Sequence, residues 1–169
     1  VEGGNISYAE KNEQGDAIGK VSFNRLKGKI GPVFKGMPGP KKIHARFTAL
    51  FMNTTAITVG FEFPESNDGS FSANAKFSPF PVTIINAAAL PLGNIQLKRG
   101  KVTQLSFTIR GNNTAATGTT LLNYQDLTID VMKTDDKGGH QKNRIMSFVA
   151  NTFLLHENNL AGDKNKDAF

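Results

Sequence analysis

IHARFTALFMNTTAITVGFEF, residues 43–63, is the stretch whose reading decides the fold. Ile43, Ala45, Phe47, Ala49 and Phe51 alternate with His44, Arg46, Thr48, Leu50 and Met52. After a polar break at Asn53, Thr54 and Thr55 the alternation resumes at Ile57, Val59, Phe61 and Phe63. A period of two puts every second side chain on one face of a strand. The stretch therefore predicts two antiparallel strands joined by a short turn. At about 3.3 Å per residue each spans on the order of 30 Å. One face is apolar and rich in phenylalanine; the other is mixed, with Arg46, Thr58 and Glu62.

Working outward, the same pattern recurs. Ile6 and Tyr8 alternate within GNISYAEK, before a turn over 12–16. Val21, Phe23, Leu26 and Ile30 continue it, but the period slips between Phe23 and Leu26, which predicts a β-bulge. GMPGP at 36–40 breaks the chain. Downstream, Asn67-Asp68-Gly69 signals a turn, and Phe71, Ala73, Ala75 and Phe77 share a strand face. Pro79 and Pro81 end that strand, and VTIINAAAL at 82–90 reads as a short helix or irregular turn stopped by Pro91. Ile95 and Leu97 start a strand, Arg99-Gly100 reads as a turn, and Leu105, Phe107 and Ile109 carry the next strand. A small-residue turn over 112–118 leads to a strand with Leu122, Tyr124, Leu127, Ile129 and Val131. Residues 133–141 read as a charged loop. Ile145, Phe148, Val149, Thr152 and Phe153 then fall at helical spacing, so 143–157 predicts an amphipathic helix. The polar end, 158–169, reads as a frayed tail.

The expected fold is mainly β. It is a long antiparallel meander over 1–157, either closed with a filled core or curved into a folded-over groove or half-barrel, with the helix 143–157 at one end. At 169 residues the chain is long enough for one domain with a real core. No window approaches the roughly 18–20 apolar residues of a transmembrane helix. The polar opening VEGGNISYAE has no leader character, so the sequence reads as part of a larger protein.

Composition narrows the chemistry. There is no cysteine, which removes disulfides and thiolate chemistry. Net charge is +6, but Lys and Arg are scattered, with the densest spots at Lys41-Lys42 and around Lys98, Arg99 and Lys101. No stacking aromatics are interleaved with them, so nucleic acid is not an expected partner. Thirteen Phe stand against two Tyr and no Trp. Phe has no polar handle, so this bias favours a dry interior or an apolar ligand over the Tyr- and Trp-rich surfaces that bind proteins.

Active-site constellations do not emerge. His44, His140 and His156 lack metal-ligand spacing, and there is no GxSxG, GxGxxG or phosphate loop. Asp126 and Asp130, four apart on a strand, stand about 13 Å apart. Asp163, Asn165 and Asp167 imitate the opening of a calcium loop without its glycine or closing glutamate. The reading is non-enzymatic, with no cofactor and no metal.

The stretch from Gly93 to Val131 has Ile95 before Gly100, then Leu105, Phe107 and Ile109, Gly111-Asn112, Ala116, Gly118 and Tyr124-Gln125-Asp126-Leu127. It resembles the β-sheet segments of the AsmA-like superfamily, which includes TamB-type envelope proteins. SFVANTFLLHENN at 147–159 looks like the helix that follows in such proteins, and GNISYAE and Gly69-Ser70-Phe71-Ser72 fit the same style. The resemblance implies a Gram-negative periplasmic module with an apolar β-groove. It also implies inner-membrane anchoring through a segment not in this sequence, and a part in phospholipid transport or outer-membrane biogenesis. Phospholipid acyl chains and neighbouring β-repeats of the same protein would be the partners.

The groove-facing candidates are Ile43, Phe47, Phe51, Ile57, Val59, Phe61, Phe63, Phe71, Phe77, Phe107, Ile109 and Ile129, with Ile145, Phe148, Val149 and Phe153 on a helix closing one end. Burying a methylene is worth about 0.8 kcal/mol, so a chain of roughly 14 methylenes gains on the order of 10 kcal/mol in an apolar trough. The commoner role of such residues is plain core. Two alternatives therefore stand beside the groove: an assembly module whose sheet edges pair with neighbouring repeats, and a secreted ligand-binding β-sandwich.

Overall fold

The structure, a computed structural model, describes residues 1–12, 17–31, 42–65, 68–134 and 140–143. The expected helix 143–157, with Ile145, Phe148, Val149 and Phe153, and the tail 158–169 lie outside the described residues, save Asn143 itself.

The chain is mainly β, as its alternation predicts. Strands β1 (Gly4–Lys11), β2 (Ile18–Gly31), β3 (Lys42–Phe51), β4 (Thr55–Pro64) and β5 (Phe71–Phe77) come first. The two-residue β6 (Phe80–Pro81) leads into a 3-10 turn (Val82–Ile85) and helix α1 (Asn86–Gly93). Strands β7 (Ile95–Gly111), β8 (Ala116–Thr134) and β9 (His140–Lys142) follow. The pairing order is β1-β2-β3-β4-β5-β7-β8-β9, with β6 against β7. It is an antiparallel meander that does not close on itself: β1 and β9 are its two ends.

The chain divides into two compact units. The first holds Val1–Ile6, Phe23–Ser78 and Leu105–Leu121; the second holds Ser7–Ser22, Pro79–Gln104 and Leu122–Phe169.

In the first unit the β3–β4 hairpin turns through Met52 and Asn53, both at positive φ (49° and 56°). The Thr54 N–H donates to the Phe51 carbonyl at 3.0 Å. This is the mirror-image turn that suits strand twist. The break is thus Met52–Thr54, and Thr55 already belongs to β4, where its hydroxyl donates to the Ser78 carbonyl at 3.0 Å. The bulge expected in β2 is present. Asn24 pairs with Leu50 and Lys27 with Thr48, so Arg25 and Leu26 together oppose one residue. Arg25 takes φ 53°, and its N–H donates to Asn5 Oδ1 at 3.1 Å.

In the second unit the core is Phe80, Val82, Leu97, Val102 and Ile129, all buried. Asn86 stands in for a strand neighbour: its side-chain amide donates to the Leu97 carbonyl at 2.9 Å and accepts from the Leu97 N–H at 2.7 Å. Three local expectations are corrected here. Arg99-Gly100 is not a turn, because β7 runs unbroken through it; Gly100 takes φ 132°, where an added Cβ would come 2.9 Å from Leu127 Cα. Pro91 does not stop the helix: it lies inside α1, which runs on to Gly93 and is capped by Asn94 in the left-handed region, and the proline only withholds one backbone N–H from the helix. Within 133–141, Lys133 and Thr134 extend β8 and pair with Gln141 and His140 of β9.

Candidate functional site

Register decides which side chains share a face. On β3, β4, β5 and β7, Ala49, Ile57, Phe77 and Leu105 form one cross-strand row. Phe47, Val59, Ala75 and Phe107 form the next, and Ala45, Phe61, Ala73 and Ile109 the one after. Ile43 pairs with Phe63, Phe71 with Gly111, and Phe51 with both Phe23 and Thr55. Eleven of the twelve sheet residues singled out above therefore lie on one face of the first unit: Ile43, Phe47, Phe51, Ile57, Val59, Phe61, Phe63, Phe71, Phe77, Phe107 and Ile109. Ile129 is buried in the second unit instead.

The face is graded. Ile57 is 4% exposed, and Phe51 and Phe77 are 8%. Phe47, Val59, Phe61, Phe71 and Phe107 are half-buried. Phe63 and Ile109 at the far end are 41% and 40% exposed, and Ile30 on β2 is 59%. Ring packing follows the gradient. Phe77 sits between Phe51 (centroids 5.2 Å, 89°) and Phe107 (6.0 Å, 74°), the edge-to-face geometry that the ring quadrupole favours. Phe23 extends this run through Phe51 at 5.6 Å. Toward the open end, Phe47 meets Phe61 at 6.3 Å, and Phe61 lies parallel to Phe63 at 6.0 Å.

Two glycines let rings lie down on the sheet. A Cβ on Gly28 would come 2.1 Å from Phe47 Cδ1, and one on Gly111 would come 2.9 Å from Phe71 Cε1. Each glycine is paired across the ladder with the ring that covers it. Neither glycine is among the groove-facing candidates, nor are Phe23 and Leu105, which the sequence reading places on strands without assigning them to this face. The bulge at Arg25 matters here too. One extra residue reverses alternation, so Phe23 before it and Gly28 and Ile30 after it share the apolar face. Without it Lys27 and Lys29 would stand on that face.

The opposite face is polar. Its rows are Lys27, Thr48, Thr58, Lys76 and Ser106, then Lys29, Arg46, Gly60, Asn74 and Thr108, then His44, Glu62, Ser72 and Arg110. Glu62 is held on two sides: Lys42 Nζ donates to its Oε1 at 2.8 Å, and His44 Nδ1 stands 3.6 Å from Oε2. The hydrogen bond from Lys42 is the main reason its carboxyl titrates below the ordinary value. Beside it, Thr108, Arg110, Thr117, Gly118 and Thr119 line a shallow depression of about 400 Å³.

Among the described residues, no cluster of three or more His, Asp or Glu is placed to hold a metal ion. No described helix is long and apolar enough to cross a membrane. The chain matches no family model, no curated protein and no solved structure.

Proposed function

We propose that this chain is a non-enzymatic module of the Gram-negative periplasm that uses the phenylalanine face of its sheet to hold phospholipid acyl chains. It would serve phospholipid transport or outer-membrane biogenesis. The observation that carries the reading is the graded apolar face: eleven residues in register, dry at Phe51 and Phe77 and open at Phe63 and Ile109. A fully packed core has no reason to leave one end of its own apolar row in water. An acyl chain needs no polar chemistry, only a continuous apolar lining, and gains about 0.8 kcal/mol per methylene it buries. The half-buried rings Phe47 and Phe61, lying between the two ends, are the residues an acyl chain would cover.

The test is uptake of a fluorescent phosphatidylcholine, together with mass spectrometry of lipids extracted from purified protein. The expected result is co-purified phospholipid and saturable uptake, lost in Phe61→Asp while the far-ultraviolet circular dichroism is retained. Lipid-free protein that takes up no probe, or a Phe61→Asp chain that unfolds, ends the reading.

A second reading is favoured by β1. It stands at one end of the pairing order with seven of its eight residues exposed, Ile6 and Tyr8 among them. A strand so placed can pair with a neighbouring β-repeat. Concentration-dependent association blocked by a proline at Ser7 would support it.

A further inference from the structure

We propose that the polar face of the first unit is a docking surface for the phosphate-bearing surface of an anionic phospholipid bilayer. This does not depend on the lipid-holding reading, which concerns the other face. Besides Lys42, which is paired with Glu62, five cations stand on the polar face: Lys27, Lys29, Arg46, Lys76 and Arg110, and all five are exposed. The described acid sharing their rows is Glu62, already engaged by Lys42 and His44. Among the described residues none of the five has a carboxylate partner.

Their arrangement works against the fold. Lys29 and Arg46 are direct cross-strand partners, so their Cβ atoms stand about 5 Å apart, where like charges destabilise a sheet. The bulge at Arg25 is what brings Lys27 and Lys29 onto this face beside Arg46 and Lys76. Between the cations lie hydroxyl and amide groups, Thr48, Thr58, Asn74, Ser106 and Thr108, which can donate to phosphate oxygens. Thr117 and Thr119 beside Arg110 extend that lining.

The partner's chemistry follows from what the face has and lacks. The charges are spread over four of five consecutive strands, neighbours lying about 4.8 Å apart, a two-dimensional grid rather than a single track. The rows carry no Phe, Tyr or Trp, and their single ring, His44, stands 3.6 Å from Glu62 Oε2, so they offer no run of rings for successive bases to stack on. A grid of cations and hydroxyls without a stacking platform complements a plane of phosphate headgroups better than a strand of nucleic acid. Each Lys or Arg held near an anionic bilayer strengthens binding about fivefold.

The experiment is co-sedimentation of the full 169-residue chain with vesicles of phosphatidylcholine alone, or of equal parts phosphatidylcholine and phosphatidylglycerol. The expected result is binding to the anionic vesicles only, weakening as salt shortens the screening length from about 10 Å at 0.1 M to 3 Å at 1 M. Lys29→Gln with Arg46→Gln should cost on the order of 25-fold in affinity, and Lys76→Gln with Arg110→Gln as much again. Both pairs are exposed: Lys76→Gln with Arg110→Gln should keep the parent's urea midpoint, and Lys29→Gln with Arg46→Gln should match or exceed it, because it removes a like-charge pair. Lys98→Gln with Arg99→Gln, exposed cations of the second unit, should retain most of the binding. Equal binding to neutral vesicles, equal loss in the Lys98/Arg99 variant, or tighter binding to a DNA oligonucleotide at the same salt would each overturn the proposal. Because the phosphatidylcholine uptake assay reads the other face, either proposal can fail while the other stands.

Discussion

Truncating two phenylalanines on the same face should have very different costs. Phe77 is buried and makes edge-to-face contact with Phe51 and Phe107. Phe77→Ala removes both contacts and leaves a cavity that the ladder around it cannot collapse, a loss of about 3–5 kcal/mol. Phe63 is 41% exposed, lies parallel to Phe61 and borders open space. Full burial of such a side chain is worth about 1.5–3 kcal/mol, so with roughly three-fifths of it covered Phe63→Ala should cost about 1–2 kcal/mol. Urea unfolding followed by circular dichroism measures the difference. With a slope of about 2 kcal/mol per molar, the two midpoints should lie about 1 M apart, at unchanged slope. Should Phe77→Ala fail to fold, Phe77→Leu keeps most of the volume and should cost less than about 1.5 kcal/mol. Equal midpoints for the two alanine variants, or a lower midpoint for Phe63→Ala, would refute the graded face.

Gly28→Ala places a methyl group in the Phe47 ring and against the Arg46 carbonyl; it should cost about 1–3 kcal/mol, and Phe47→Leu in the same chain should recover part of that loss. Thr55→Val removes the donor to the Ser78 carbonyl and should lower stability by about 1–2 kcal/mol in urea titrations. In the second unit Lys142 pairs with the buried Asp130. Lys142→Met strands that carboxylate and should cost about 1–3 kcal/mol, much of it recovered by Asp130→Asn in the double variant. Glu62 is held below its ordinary value of 4.5 by the Lys42 hydrogen bond. A carboxylate depressed in the folded state adds stability that is present above its unfolded value and is lost as pH falls through the folded one. Carboxyl NMR titration should therefore show a Glu62 midpoint below 4.5 that rises in Lys42→Met.

The alternation in residues 43–63 was enough to read the β class, the β3–β4 hairpin and the apolar face, because a period of two is local. The same logic exposed the bulge, since the slip between Phe23 and Leu26 is visible as a break in period. Eleven of the twelve chosen sheet residues share a face for that reason. Local patterns mislead where a residue has two uses. Gly100 reads as a turn, but in β7 it serves a close approach to Leu127 within an unbroken strand. Pro91 reads as a helix stop, but it lies inside α1, which runs on to Gly93. The pairing partners of each strand, the rings lying over Gly28 and Gly111, and the exposure gradient from Phe77 to Phe63 were decided only by tertiary structure. So was the set of cations that shares the polar face, because Lys27, Lys29, Arg46, Lys76 and Arg110 lie on four strands distant in sequence. Alternation tells each strand which way its side chains face. Register, which depends on contacts between strands, tells which side chains become neighbours and how much water they keep.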